Sequence, residues 1–203
     1  MPVGGEDYRI VHPEAAEALI DEADFERDER LPYWADLWPS AIALAGRLAA
    51  EDLRGVRAIE LGCGVGLPSV VALKRGAEVL ATDHYRAALD FAAYNARINT
   101  AKRLPTALLD WHAHDLRGFL GRFELVFAAD VLYERRHAEA LARLVPRLLE
   151  PGGAALVADP GREGCAAFLA VMRRSGFRVE SERREVWLSG RRSVGVYVHR
   201  ISR

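Results

Sequence analysis

Two rhythms of apolar and polar residues run along the chain. Short apolar runs at Ala58–Leu61, Val79–Asp83, Leu104–Leu109, Phe123–Ala129 and Ala154–Asp159 show little polar alternation. That is the pattern of strands buried on both faces. Between them lie helix-like stretches: Ser40–Ala49, Leu67–Leu73, Arg86–Thr100, His137–Leu149 and Arg162–Ser175. In Arg86–Thr100, Leu89, Ala93, Ala96 and Ile98 mark the apolar face. Pro146 is expected to kink the fourth helix or mark its last turn. Glu150-Pro151-Gly152-Gly153 reads as a turn. At the end, Phe177–Leu188 and Ser193–Ile201 alternate apolar and polar around Ser189–Arg192, which predicts an antiparallel hairpin. Strands alternating with helices predict an α/β, doubly wound, Rossmann-like sheet of seven strands. It should be mostly parallel, with helices on both faces.

The N-terminal quarter reads differently. Pro13–Ala23 predicts a short, weakly amphipathic helix, and the charged run Asp24–Arg30 a solvated face. Then Tyr33, Trp34 and Trp38 crowd into the segment Leu31–Pro39. They either anchor an N-terminal helix on the core or line a pocket, the pocket being favoured for Trp38. Residues 1–203 read as one domain, in which about the first 50 residues cover a ligand site.

With 203 residues and 50% hydrophobic composition the chain can bury one sizeable core. Its net charge of −1 argues against a general nucleic-acid binder. Cys63 and Cys165 are too few for a disulfide framework or a zinc site, and Cys63 reads as a small side chain tucked beneath a glycine loop. His112 and His114 read as solvated loop residues rather than metal ligands. No basic segment followed by an apolar one opens the chain, and no stretch is long and apolar enough to span a membrane. A cytoplasmic, monomeric enzyme is the expectation.

The chemistry concentrates where predicted strands end. Glu60-Leu61-Gly62-Cys63-Gly64-Val65-Gly66 joins the first strand to a helix start, with Pro68 suited to the first turn. Such a loop offers N–H groups to a ligand that approaches closely. Leu67 stands where a dinucleotide fingerprint needs glycine, and no Gly-Lys-Ser/Thr follows as in an NTPase loop. Asp83 ends the second strand about twenty residues on, a position that accepts hydrogen bonds from ribose hydroxyls in doubly wound sheets. Asp110-Trp111 ends the third strand, and Asp130-Val131-Leu132-Tyr133 follows the fourth.

Glu60-x-Gly62-x-Gly64-x-Gly66 resembles the first motif of class I, seven-stranded S-adenosylmethionine (SAM) methyltransferases. Pro32-Tyr33-Trp34-Ala35-x-Leu37-Trp38-Pro39, Leu109-Asp110-Trp111 and Asp130-x-x-Tyr133 resemble one branch, the methyltransferase-like protein-lysine methyltransferases. That branch includes enzymes acting on the electron-transfer flavoprotein β subunit, and bacterial members labelled nicotinamide N-methyltransferase-like. His112 departs from the glycine that many members carry there. The resemblance implies SAM as cofactor and S-adenosylhomocysteine as product. The cofactor set is then Trp38, Glu60, Gly62, Cys63, Gly64, Gly66, Asp83, His84, Asp110, Trp111 and Ala129, with Asp130 and Tyr133 at the reacting nitrogen. A second reading makes Asp130 the N-cap of the following helix. Three functions stay open: methylation of a protein lysine, which is favoured, of a small amine or heteroaromatic nitrogen, or SAM binding without catalysis.

Overall fold

A computed structural model describes residues 1–14, 32–112, 118–188 and 192–203. A small ribbon pairs β1 (Pro2–Val3) with β2 (Glu6–Asp7). A 3-10 turn, Tyr33–Ala35, precedes α1 (Pro39–Ala49). Then follow β3 (Arg57–Leu61), α2 (Leu67–Lys74), β4 (Glu78–Asp83), α3 (Arg86–Thr100), β5 (Thr106–Leu108), β6 (Phe123–Ala129), α4 (Arg135–Leu148), β7 (Leu149–Asp159), α5 (Glu163–Arg174), β8 (Arg178–Trp187) and β9 (Ser193–Ser202).

The seven large strands lie in the order β5-β4-β3-β6-β7-β9-β8. Neighbours are parallel from β5 to β7, while β9 runs antiparallel to both β7 and β8. This is the predicted α/β sheet, hairpin included. Two apolar layers cover it. Leu44 and Leu48 of α1, α2 and Leu89 of α3 pack on one face. Leu141 and Leu144 of α4 and Phe168 and Met172 of α5 pack on the other. The α2 helix is apolar all round because it is enclosed, with Leu67–Leu73 buried throughout.

Several boundaries differ from expectation. The Glu150–Gly153 turn lies inside β7, which starts at Leu149. Pairing with β6 jumps from Phe123↔Leu149 to Leu125↔Ala154, so Pro151-Gly152-Gly153 sits where the register breaks. Pro146 stays within the last turn of α4. The third strand shrinks to Thr106–Leu108. Most of the Pro13–Ala23 helix, the Asp24–Arg30 run and His114 lie outside the described residues.

The chain turns back across the sheet at β3, which has β4 on one side and β6 on the other. Strand ends diverge at such a switch point, which leaves a crevice beyond their carboxyl ends. Every chemical motif of the sequence reading falls there.

Candidate active site

The glycine loop forms the floor of this cleft. Gly64 has φ +50° and Gly66 φ +86°, conformations that side-chain-bearing residues rarely adopt. Space is equally limiting. A Cβ on Gly64 would lie 3.0 Å from the Trp34 carbonyl oxygen, and one on Gly66 2.6 Å from Ala92 Cβ. The first contact brings the aromatic N-terminal segment over the loop, and the second lets α3 pack against it. Buried Cys63 sits under the loop as expected, its N–H donating to Thr82 O at 2.9 Å.

Three buried carboxyl groups line the crevice in different ways. Glu60 is buried, and its Oε2 accepts from the Ser69 N–H at 3.0 Å and from the Ser69 hydroxyl. It staples β3 to the first turn of α2. Burial pushes its carboxyl up to about 8, against the pull of the Ser69 hydrogen bonds. Asp83 is also buried. Its Oδ2 accepts from the Gly64 N–H at 2.9 Å and its Oδ1 from the Tyr85 N–H at 3.0 Å. Burial raises its carboxyl, with backbone N–H bonds opposing. Asp130 has φ +58°, a left-handed conformation that aspartate tolerates better than most residues. Arg162 Nε and Nη2 donate to its Oδ1 at 2.9 and 2.6 Å, and Ser40 Oγ donates to its Oδ2 at 2.9 Å.

The N-cap reading of Asp130 is therefore corrected. Glu134 caps α4, and Asp130 lies four residues before it, its carboxylate turned toward Arg162 and Ser40. Tyr133 likewise precedes the helix.

Aromatic rings form the upper rim. Tyr33 stands edge-on to Trp38 at 6.0 Å and to Tyr133 at 5.5 Å between centroids. Tyr33 and Tyr133 are each 42% exposed. Trp38 Nε1 donates to the Tyr33 carbonyl at 2.8 Å. Trp111 stands edge-on to His137 at 5.3 Å. Asp110 Oδ1 accepts from the His112 N–H at 2.9 Å, which fixes the turn beside the indole.

The cleft is lined by Trp38, Glu60, Gly62, Cys63, Gly64, Gly66, Asp83, His84, Asp110, Trp111, Ala129, Asp130 and Tyr133, the full set expected from sequence. Trp34, left open between anchor and wall, lines it too, and its ring stands 5.7 Å from that of Phe91. Sequence reading missed Ser40, Tyr85, His137 and Arg162. For Arg162 a signal existed. It is the N-cap of α5, where the helix dipole disfavours a positive charge, so another partner had to hold it.

The donor set fits SAM. Asp83 retains acceptor capacity for ribose hydroxyls. The buried Trp111 indole N–H has no hydrogen-bond partner among the described residues. The loop glycines keep Cβ atoms out of the crevice.

Comparisons with known proteins agree with this geometry. The chain is 34% identical over 136 residues to the electron transfer flavoprotein beta subunit lysine methyltransferase of Xenopus laevis, covering 64% of this chain and 53% of that protein. It is 39% identical over 106 residues to the protein N-lysine methyltransferase METTL21A of Mus musculus, covering 49% and 48%. The chain thus spans about half the length of these curated relatives. An S-adenosylmethionine-dependent methyltransferase from Mesorhizobium loti shares the fold, with a TM-score of 0.58 at 19% identity over 78% of this chain and 95% of that one. A family model described as lysine methyltransferase matches residues 24–174, which takes in the glycine loop, Asp83, Asp130 and Arg162, and so this chain belongs to the lysine methyltransferase family.

Proposed function

We propose that this chain is a SAM-dependent N-methyltransferase acting on a protein lysine, with residues 1–203 forming one catalytic domain whose N-terminal segment covers the cofactor. The observation that carries the reading is the pairing of a buried carboxylate, Asp130, with an open aromatic rim of Tyr33 and Tyr133. A carboxylate at the base attracts an ammonium group. Exposed rings around it admit a long side chain presented by a large partner, which an enclosed chamber would not. Aromatic faces also favour a cation.

SAM, when bound, supplies a methyl group on a sulfonium leaving group. The loop amides, Asp83, Asp110 and Trp111 hold and orient it. Asp130 Oδ2 receives the incoming amine. A lysine amine, with a reference pKa of about 10.4, has to give up its proton before its lone pair can form the new N–C bond. That proton leaves to water through the open rim. Tyr133 and Tyr33 then shield the reacting nitrogen, so the protein's contribution is orientation and desolvation.

Native lysate incubated with purified protein and methyl-labelled SAM tests the reading. Label is expected in protein, on lysine. Label confined to the small-molecule fraction would replace the lysine acceptor with a small amine, and no label in either would remove the methyltransferase reading.

A further inference from the structure

Asp130 is held by residues remote from it in sequence. The Arg162 guanidinium donates twice to Oδ1, and Ser40 donates once to Oδ2. Arg162 is in turn fixed at its backbone. Its N–H donates to Asp159 Oδ1 at 2.6 Å, beside the Gly161 N–H at 2.7 Å on the same oxygen. Asp159 ends β7, is fully buried, and its Oδ2 has no hydrogen-bond partner among the described residues. The guanidinium is thus bonded to one buried carboxylate, Asp130, and its charge also acts on the second, Asp159, lowering a carboxyl that burial and Asp130 raise. Without it, the repulsion between the two carboxylates would be opposed only by backbone N–H groups and the Ser40 hydroxyl among the described residues.

The count of acceptor sites gives the arrangement a direction. A carboxylate offers about four acceptor positions, two on each oxygen. Both on Oδ1 are taken by Arg162 Nε–H and Nη2–H. On Oδ2 the Ser40 hydroxyl takes one and leaves one. An arriving amine therefore has one oxygen to bind.

We propose that Arg162 is the positioning residue of the methyl-acceptor site: it saturates Oδ1 of Asp130, offsets the charge of Asp159, and so presents Oδ2 alone to the amine. This rests on the reading of Asp130 as the amine-binding carboxylate. Arg162 does not touch the acceptor; it acts through Asp130. Its guanidinium is a planar fork, so lysine preserves the charge but not both hydrogen bonds.

The test measures initial rates of tritium transfer from SAM into whichever lysate fraction the wild-type protein labels. It compares wild type, Arg162→Lys, Arg162→Ala, Asp130→Asn and the double variant Asp130→Asn/Arg162→Ala, with SAM affinity measured for each. Arg162→Ala should slow transfer about tenfold to hundredfold, the range expected for a misplaced reactive group. Arg162→Lys should fall between it and wild type, and added guanidinium ion should restore part of the Arg162→Ala rate. SAM affinity should stay within about twofold, and the double variant should be no slower than Asp130→Asn, because the two residues act as one unit. Losses that multiply in the double variant, or a parallel loss of SAM affinity, overturn the proposal. Wild-type rates in Arg162→Ala with a slow Asp130→Asn overturn it while leaving the Asp130 reading intact. Wild-type rates in both variants remove that reading as well.

Discussion

The two halves of the cleft hold their carboxylates by opposite means. On the β3–β4 side, Asp83 is fixed by backbone N–H groups, those of Gly64 and Tyr85. On the β6–β7 side, Asp130 is fixed by side chains from other parts of the chain, Ser40 in the first turn of α1 and Arg162 at the cap of α5. Backbone donors come with the loop conformation and cannot be mutated away without changing that conformation. Side-chain donors can be exchanged one at a time while the strand and its turn persist. On the function proposed here, the cofactor half is then a property of the fold, and the acceptor half a property of individual residues.

The sharpest way to break the comparison is to damage the backbone of the cofactor half. Gly66→Ala places a Cβ 2.6 Å from Ala92 Cβ at a φ of +86°. Strain in the left-handed region and overpacking together should lower stability by on the order of 2–4 kcal/mol. Chemical denaturation checks this, and unchanged stability would show that the loop yields where the geometry says it cannot. SAM affinity should fall as well, since the same loop carries the amide donors.

In the acceptor half, Asp130→Asn should act on turnover rather than on SAM affinity. Asparagine also tolerates a left-handed φ, but its single oxygen cannot serve both Ser40 and Arg162, so the melting temperature should fall while the fold persists, part-exposed Arg162 being open to water. The variant loses the charge that meets both Arg162 and the amine. Turnover should fall about a hundredfold, equivalent to about 2.7 kcal/mol in the barrier. SAM affinity measured on the same preparation should stay near that of wild type. Equal losses in affinity and turnover would erase the distinction between the halves.

This asymmetry also explains what could be read from the chain alone. The β6 strand at Phe123–Ala129 and the α3 helix at Arg86–Thr100 match their predicted bounds, because burial pattern and end signals agree over each. The glycine loop and Asp83 were legible because a close backbone approach demands glycine, and glycine shows in sequence. The partnership of Ser40 and Arg162 with Asp130 was not, because nothing local ties residues 90 and 32 positions away to it, even where the place of Arg162 at a helix start hints that something holds it. Reading Asp130 as a helix cap failed for the same reason. Sequence suggests the nearest helix as a partner, whereas tertiary structure brought a guanidinium. The turn expected at Glu150–Gly153 was absorbed into β7 because a sheet neighbour can carry glycine and proline through a register break.

Asp83→Ala should produce a smaller effect, confined to the cofactor. It removes acceptors for ribose hydroxyls and leaves the Gly64 N–H without its carboxylate. The expected loss in SAM binding is about 1–3 kcal/mol by titration calorimetry. The protein should remain folded, since Gly64 is also held by the loop around it. If affinity is unchanged, the ribose is bound elsewhere, and the likeness of the β4 end to other doubly wound sheets is misleading.

The smallest effect tests whether the cofactor half carries its own pH dependence. The Glu60 carboxyl titrates near 4.5 when unfolded and about 8 in the fold, raised chiefly by burial. Below the lower value both states hold the proton, and its contribution to stability is complete. As pH rises between the two values, the unfolded chain releases the proton while the folded one keeps it, so folding becomes less favourable. Above about 8 both states are ionised and the loss is finished. Between pH 7 and 8 the change is at most about 1.4 kcal/mol, the value of one pKa unit. Asp83 contributes in the same direction, so the measurement needed is a difference. Glu60→Gln is neutral at every pH and nearly isosteric, and keeps an oxygen to accept the Ser69 N–H. Relative to wild type, its stability should therefore improve from pH 7 to pH 8 by no more than that amount, in the absence of SAM. Thermal melts across that range decide the matter. A gap between variant and wild type that does not vary with pH would mean that Glu60 is ionised beneath the loop, paired with Ser69 as a carboxylate.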